Sequence, residues 1–185
     1  MAGYPAELEE HWTAGGERLL IRPIRPSDAA EHDAFFHRLT PEDIRSRFFA
    51  AVRELTPEQI AKFTRLDYDR DMAFIAVREA TGETVGVARL VREQEPMLAE
   101  FAVALQHDVQ GRGLATHLMQ RLLDWAPRHG VREVVGEILA DNTAMLELAR
   151  HLGFHLSHLP EDSQIIEARL RLEPPGDAPM AQGAG

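Results

Sequence analysis

Two places in this sequence carry residue types whose spacing could do chemistry. The first is Gln-Gly-Arg-Gly-Leu-Ala, residues 110–115, where a run with strand character gives way to one with helical period. The first N–H groups of a helix have no partner inside it. The aligned peptide dipoles add partial positive charge there, and glycine lets the backbone approach an anion closely. Together these make a pyrophosphate cradle. The same glycines also suit a tight turn into a helix that binds nothing. No Gly-Lys-Ser/Thr follows, so the turn is not a P-loop, and Thr116 stands where a dinucleotide fingerprint has its third glycine. The second place is Glu100, ten residues before Gln110 in a strand-like run. Alternation puts it on the face of Leu98, Ala102 and Ala104. A carboxylate among small apolar neighbours is costly unless it is paired or used. Either a nearby arginine neutralises it or it has a chemical task.

Other candidates weigh less. Asp67, Asp69 and Asp71 alternate before a strand. They could form an acidic rim that steers a cation, but a solvated turn with capping carboxylates explains them better. Tyr68 between them reads as structural. Phe35, Phe36, Phe48 and Phe49 could line a groove, though such residues are more often core. His151, His155 and His158 resemble a metal cluster on paper. Gly153 interrupts the helix between them, so no single helical face holds all three, and no metal site is expected.

The elements that must position these residues follow from period and punctuation. Residues 11–24 read as a hairpin around Gly15-Gly16. Ser27 is placed to cap a helix running to about Arg38, with a stripe of Ala30, Ala34 and Phe35. Thr-Pro-Glu-Asp at 40–43 and Thr-Pro-Glu-Gln at 56–59 start two short helices, near 41–48 and 57–65. From Met72 the period becomes that of strands, over 72–79, 84–92 and 97–105. A helix over 113–126 carries Leu114, Leu118, Leu122 and Trp125 on one face. A strand near 131–139 follows. Then comes a helix from Asn142 to Leu152 with Met145, Leu148, Ala149 and Leu152 on one face, ended by Gly153, and two closing strands. One strand–helix–strand crossover among hairpins implies one parallel pair in a mixed, mostly antiparallel sheet with helices on both faces, an α+β fold.

The bulk properties bound the function. A chain of 185 residues is one domain with a real core. It contains no cysteine, which removes disulfides, thiolate metal sites and cysteine nucleophiles and agrees with a reducing compartment. The acidic, polar start is no signal peptide, and no apolar run is long enough to span a membrane, so a cytoplasmic location without membrane contact is expected. Net charge is −10 with no basic cluster, which argues against nucleic acid as a partner. Lys62 is the only lysine.

The run Gln110–Ala115 resembles the (Gln/Arg)-x-x-Gly-x-(Gly/Ala) motif of the GNAT superfamily of acyl-CoA-dependent N-acetyltransferases. Asn142 to Phe154 resembles that family's second signature, an Asn followed by an amphipathic helix ending in Gly-Phe. Further stretches, among them Ile21–Ala29, Phe35–Phe49, Glu54–Phe74 and Ala99–Val103, are similar to the acetyltransferase domain of Pat-type bacterial protein lysine acetyltransferases. The likeness covers roughly residues 4–172. Its implied organisation is an extension with the first hairpin strand over 1–16, the acetyltransferase domain over 17–172 and a disordered tail over 173–185. Many Pat-type enzymes carry an additional synthetase-like region or small regulatory domain, which these residues do not contain.

The resemblance implies a GNAT-like sheet whose parallel strands splay apart. It implies acetyl-CoA as cosubstrate, without metal. Backbone amides of Gly111, Arg112, Gly113, Leu114 and Ala115, following Gln110, would hold the CoA pyrophosphate. Val103, Ala104 and Leu105 would pair with the pantetheine arm, and Asn142 would contact it. Glu100 matches the family's base glutamate. An amine near pKa 10.4 is mostly ammonium at pH 7 and must lose a proton before it attacks a thioester. Many small-molecule GNAT enzymes carry a Tyr acid seven residues after the Asn; here that residue is Ala149. The expected acceptor is therefore a protein lysine, for example on an acyl-CoA synthetase. The alternatives are a small amine, or a CoA-binding regulatory module without turnover.

Overall fold

The computed structural model describes residues 2–49 and 52–176. Gly15-Gly16 closes the hairpin of β1 (Glu10–Ala14) and β2 (Glu17–Pro23). Three helices follow: α1 (Ala29–Arg38), α2 (Pro41–Phe48) and α3 (Pro57–Thr64). The two Thr-Pro starts behave as their chemistry demands. Thr40 Oγ1 accepts the Asp43 N–H at 3.1 Å and Thr56 Oγ1 accepts the Gln59 N–H at 3.1 Å. The Asp43 and Gln59 side chains accept the cap N–H groups in return.

The entry to α1 differs from expectation. Ser27 does not cap it. Residues 26–28 form one 3-10 turn, in which the buried Asp28 carboxylate accepts the Arg25 N–H at 2.9 Å and pairs with Arg22 at 2.6 Å. A carboxylate wins this position over a hydroxyl because it also meets a buried guanidinium. Nor is the inward stripe the expected one. Ala30 is exposed and Ala34 half-buried, while His32, Phe35 and Phe36 face the core.

The remaining elements are β3 (Met72–Arg78), β4 (Thr84–Arg92), β5 (Leu98–Leu105), α4 (Leu114–Arg128), β6 (Glu133–Leu139), α5 (Thr143–His151), β7 (His155–Leu159) and β8 (Asp162–Arg171). The strands form one sheet in the order β1-β2-β3-β4-β5-β6-β8-β7. Every neighbouring pair is antiparallel except β5–β6, which the α4 crossover joins in parallel. This is the mixed α+β architecture expected. α4 starts and ends close to the predicted bounds, with Leu114, Leu118, Leu122 and Trp125 all buried. In α5 the fully buried residues are Leu146 and Ala149; Met145, Leu148 and Leu152 are half-buried. Residues 173–176 lie outside the strands and helices, and residues 177–185 of the expected tail lie outside the described residues. No helix among the described residues is long and apolar enough to cross a membrane.

The sheet divides the core in two. On one face Leu19, Ile21, Phe74, Ala88, Leu90 and Phe101 pack against Leu114, Leu118 and Leu122 of α4. On the other, Ala73, Ile75, Val87 and Ala104 pack against Phe35 and Phe36 of α1. Glu100 belongs to this second face by alternation, as do Arg89, Val91 and Glu93.

The parallel pair is short. Leu98, Ala99 and Glu100 stand opposite Glu133, Val134 and Val135, and the pairing stops there. Just beyond it, the Phe101 ring lies on Gly136, where an added Cβ would sit 2.3 Å from Phe101 Cε1. The ring meets Phe154 edge-on, with centroids 5.1 Å apart. Only glycine at 136 admits this ring, which fills the space where the strands part.

Candidate active site

Beyond Glu100, one edge of β5 still pairs with β4, placing Leu105, Ala104 and Val103 opposite Gly86, Val87 and Ala88. The other edge, toward β6, has lost its partner. Of the three residues beyond Glu100, Val103 and Leu105 turn their backbone groups to this open edge, where an extended ligand could lie between the strands, whereas Ala104 turns its own toward Val87 of β4.

The chain then makes a single 3-10 turn, residues 107–109, that sequence reasoning did not anticipate, before reaching Gln110. Four side-chain hydrogen bonds fix this connection. Arg78 donates to Asp108 at 2.5 Å, Arg38 donates to Gln106 at 3.1 Å, and the Gln110 amide donates to Asp43 at 3.0 Å and to the Leu105 carbonyl at 3.1 Å. Gln110 thus ties the start of the turn to the end of β5 and to α2. Its side chain is engaged in the protein, unlike that of a residue reserved for a ligand.

Gly111 and Gly113 take φ of +76° and +81°, the left-handed region that favours glycine. Gly113 caps α4, whose first backbone bond runs from the His117 N–H to the Gly113 carbonyl at 3.0 Å. Among the described residues, no N–H from Gly111 through Thr116 has a hydrogen-bond partner. Leu114 sends its side chain into the core and Ala115 is half-buried, while Arg112 lies against the Gly15 turn. The turn therefore presents backbone donors at a helix N-terminus with two glycines and no side chain over them. That fits a pyrophosphate. Asn142 sits at the far side of the splay as the N-cap of α5, with its Oδ1 accepting the Met145 N–H at 3.2 Å.

Glu100 is exposed to a cavity of ≈ 360 Å³ on the second face of the sheet. The strand neighbours are those expected, but the surroundings are not simply apolar. Two residues diagonal to Glu100 across β4 are Glu93 and Arg89, since Val91 stands directly opposite. Arg47 from α2 and Phe63 and Lys62 from α3 complete the near wall. Burial holds the Glu100 carboxyl above the ordinary carboxylate range. A hydrogen bond with Glu93 and the charges of Glu93 and Glu137 add to this, and Arg47 opposes it. A carboxylate raised in this way is a stronger base than an ordinary glutamate, which suits it to proton uptake.

The arginines are unusual. Arg89 is 5% exposed, yet its contact is one long bond to the Phe63 carbonyl at 3.4 Å, with its guanidinium 4.5 Å from the Phe63 ring centre. Arg47 lies 4.8 Å from the Phe48 ring and 5.8 Å from the Phe63 ring. Neither has a carboxylate within 4 Å among the described residues. Burial pulls Arg89 down to about 9, helped by the charge of Arg47, which leaves it cationic at pH 7. His32, buried beside them, is pushed down to about 4 by burial and by Arg89, so it is neutral. Sequence reasoning passed over Arg47, Arg89 and Glu93. The signal for Arg89 was present: a single charge inside Val85–Val91, an otherwise apolar strand.

The other candidates resolve structurally. Asp67 accepts the Asp69 N–H at 3.2 Å within its own turn, and Asp71 accepts the N–H of Arg92 at the end of β4 at 2.8 Å; Asp71 also borders the cavity. Tyr68 donates to the Ile24 carbonyl at 2.6 Å. Phe35 and Phe36 are core, Phe48 borders it, and Phe49 is exposed. His151 ends α5, and alternation along β7 sends His155 and His158 to opposite faces. Neither tyrosine lines the Glu100 cavity, and Ala149 is buried.

Comparison with known proteins gives the family. Residues 18–155 match the family model described as Acetyltransferase (GNAT) domain. The chain is 35% identical over 176 residues to Acetyltransferase PA5475 of Pseudomonas aeruginosa, covering 92% of this chain and 95% of the relative. It is 30% identical over 139 residues to Acetyltransferase Pat of Mycolicibacterium smegmatis, covering 75% of this chain but 41% of that longer protein. The solved GNAT domain of S. lividans PAT superposes with a TM-score of 0.83 at 24% identity, covering 92% of this chain and all of that domain, a likeness of fold. The chain belongs to the GNAT acetyltransferase family.

Proposed function

We propose that this GNAT acetyltransferase transfers the acetyl group of acetyl-CoA to a primary amine, with Glu100 as the base, and that the amine is the side chain of a protein lysine, for example on an acyl-CoA synthetase. The observation that carries this reading is the position of Glu100. It is the last residue of β5 paired to β6, so it stands where the unpaired strand edge and the acceptor cavity meet. In this reading the backbone amides of residues 111–115 hold the pyrophosphate, and the free edge that runs from Val103 to Leu105 holds the pantetheine arm. Asn142 borders that arm. Glu100 takes the ammonium proton, directly or through water. The nitrogen then bonds to the acetyl carbon, a backbone N–H near Val103 steadies the oxyanion, and the carbon–sulfur bond breaks to release CoA. No covalent enzyme intermediate is required. A cytoplasmic setting is part of the same reading.

Support for a protein acceptor comes from the likeness to Pat proteins and from Ala149, which leaves the second-signature helix without a Tyr acid. A small amine is the second reading. It is favoured by the size of the cavity, ≈ 360 Å³, which suits a small molecule.

The test is CoA release from acetyl-CoA in the presence of a purified AMP-forming acetyl-CoA synthetase, with Glu100→Gln alongside. Acetylation of a synthetase lysine, slowed about 10²–10⁴-fold in the variant while acetyl-CoA still binds, is the expected result. Equal rates in the two proteins would remove Glu100 as base. Transfer to small amines alone would establish the second reading, and binding without turnover on any acceptor would make the protein a CoA-binding module.

A further inference from the structure

The two buried arginines of the sheet core are treated differently. Arg22 is closed by Asp28 with two bonds, of 2.8 and 2.6 Å. Among the described residues Arg89 makes only the long bond to the Phe63 carbonyl; Arg47 approaches it with a second positive charge, and the opposing charges, Asp71 for Arg89 and Glu100 for Arg47, act across the cavity with no ion pair within 4 Å. Burying a cation without a directly paired counter-ion is costly, and bringing a second cation beside it adds to the cost. The rings of Phe48 and Phe63 hold both guanidiniums in place without neutralising them. Both arginines line the same cavity as Glu100 and Glu93, and none of residues 110–115 does. The arginines are thus separate from the pyrophosphate turn.

We propose that Arg47 and Arg89 form a carboxylate-binding subsite beside Glu100, so that the acceptor presents an anionic group close to the amine that is acetylated. A planar guanidinium pair matches a carboxylate by geometry as well as charge. The acids Glu93 and Glu100 then receive the ammonium end of the acceptor, and the arginines receive its anionic end. The carboxylate has two chemical sources: the α-carboxylate of a free amino acid, or an acidic side chain next to the target lysine of a protein. The inference rests on Glu100 marking the acceptor site, and its test reads binding apart from turnover.

The experiment uses the full chain and matched acceptors. One arm compares each of the twenty common L-amino acids with its carboxamide. The other compares a capped peptide Ala-Asp-Lys-Ala with Ala-Asn-Lys-Ala. Calorimetry measures binding, and CoA release in the presence of acetyl-CoA measures turnover. The expected result is a preference of about tenfold or more for the carboxylate member in one arm, which identifies the source, with the gap reduced in Arg47→Gln and in Arg89→Gln. Arg47→Gln keeps the test usable if the Arg89 variant fails to fold. A carboxylate preference in binding, with no turnover in any pair, would support the subsite while counting against acetyl transfer to these acceptors. Equal binding of both members in every pair would overturn the subsite and leave Arg47 and Arg89 as structural cations.

Discussion

Glu100 and Val135 are the last residues that face each other across the parallel strands β5 and β6. Beyond them the strands part, and Phe101, the next residue, packs its ring on Gly136, which follows Val135. The residue assigned the proton and the residue that fills the gap are therefore neighbours in one strand, pointing to opposite faces.

This arrangement makes the pH dependence specific. Glu100 is held above the ordinary carboxylate range by burial and by Glu93. A base works only when deprotonated, so kcat/KM rises with pH through this raised value, and its acid limb lies above that of an ordinary glutamate. Glu93→Gln removes a neighbouring acid, which lowers the Glu100 value and moves the acid limb to lower pH. A pH–rate profile of the two proteins checks the direction; an unmoved limb would show that Glu93 does not tune the base.

The proposed pyrophosphate role of the Gly111–Ala115 turn is tested by a pair of glycines. Gly113 and Gly82 both have positive φ, +81° and +77°, and an added Cβ at either meets nothing within 4 Å. Alanine at either position costs about 1–2 kcal/mol of backbone strain. Gly113→Ala is expected also to raise KM for acetyl-CoA, whereas Gly82→Ala, in the β3–β4 turn, lowers only the melting temperature. Equal effects on KM would remove the cradle.

The splay itself depends on Gly136. Gly136→Ala forces a Cβ into the Phe101 ring and is expected to cost about 1–3 kcal/mol. Pairing it with Phe101→Leu should recover part of that loss, because the two residues occupy one space. Denaturant melts of the single and double variants measure the coupling, and simple additivity would contradict the packing described.

Acid stability reports on Arg22 and Asp28. Burial alone would raise the Asp28 carboxyl, but the Arg22 guanidinium and the Arg25 N–H outweigh it and hold the group below its ordinary value. A carboxylate depressed in the folded state stabilises the protein above its unfolded pKa, about 3.9, and loses that contribution as pH falls through the folded value. Asp28→Asn leaves Arg22 buried and unpaired and is expected to cost about 3–5 kcal/mol at pH 7. The difference from wild type narrows in melts at progressively lower pH.

Much of the molecule was legible from local chemistry. Thr-Pro starts at 40 and 56, the leucine spacing of α4 and the glycines at 111 and 113 act over a few residues, and each does in the fold what its own chemistry requires. The α1 entry was misread because Asp28 answers to Arg22, six residues away on a strand, and not to its own helix. The surroundings of Glu100 were invisible for a related reason. Glu93, Arg89 and Arg47 become neighbours of Glu100 only through the β4–β5 register and the placement of α2, which join positions up to 53 residues apart from Arg47 to Glu100. Sequence alone therefore determined the family motifs, the order of elements and the identity of the candidate base. Tertiary structure decided what that base faces, because burial and cross-strand register, not chain proximity, set which charges meet.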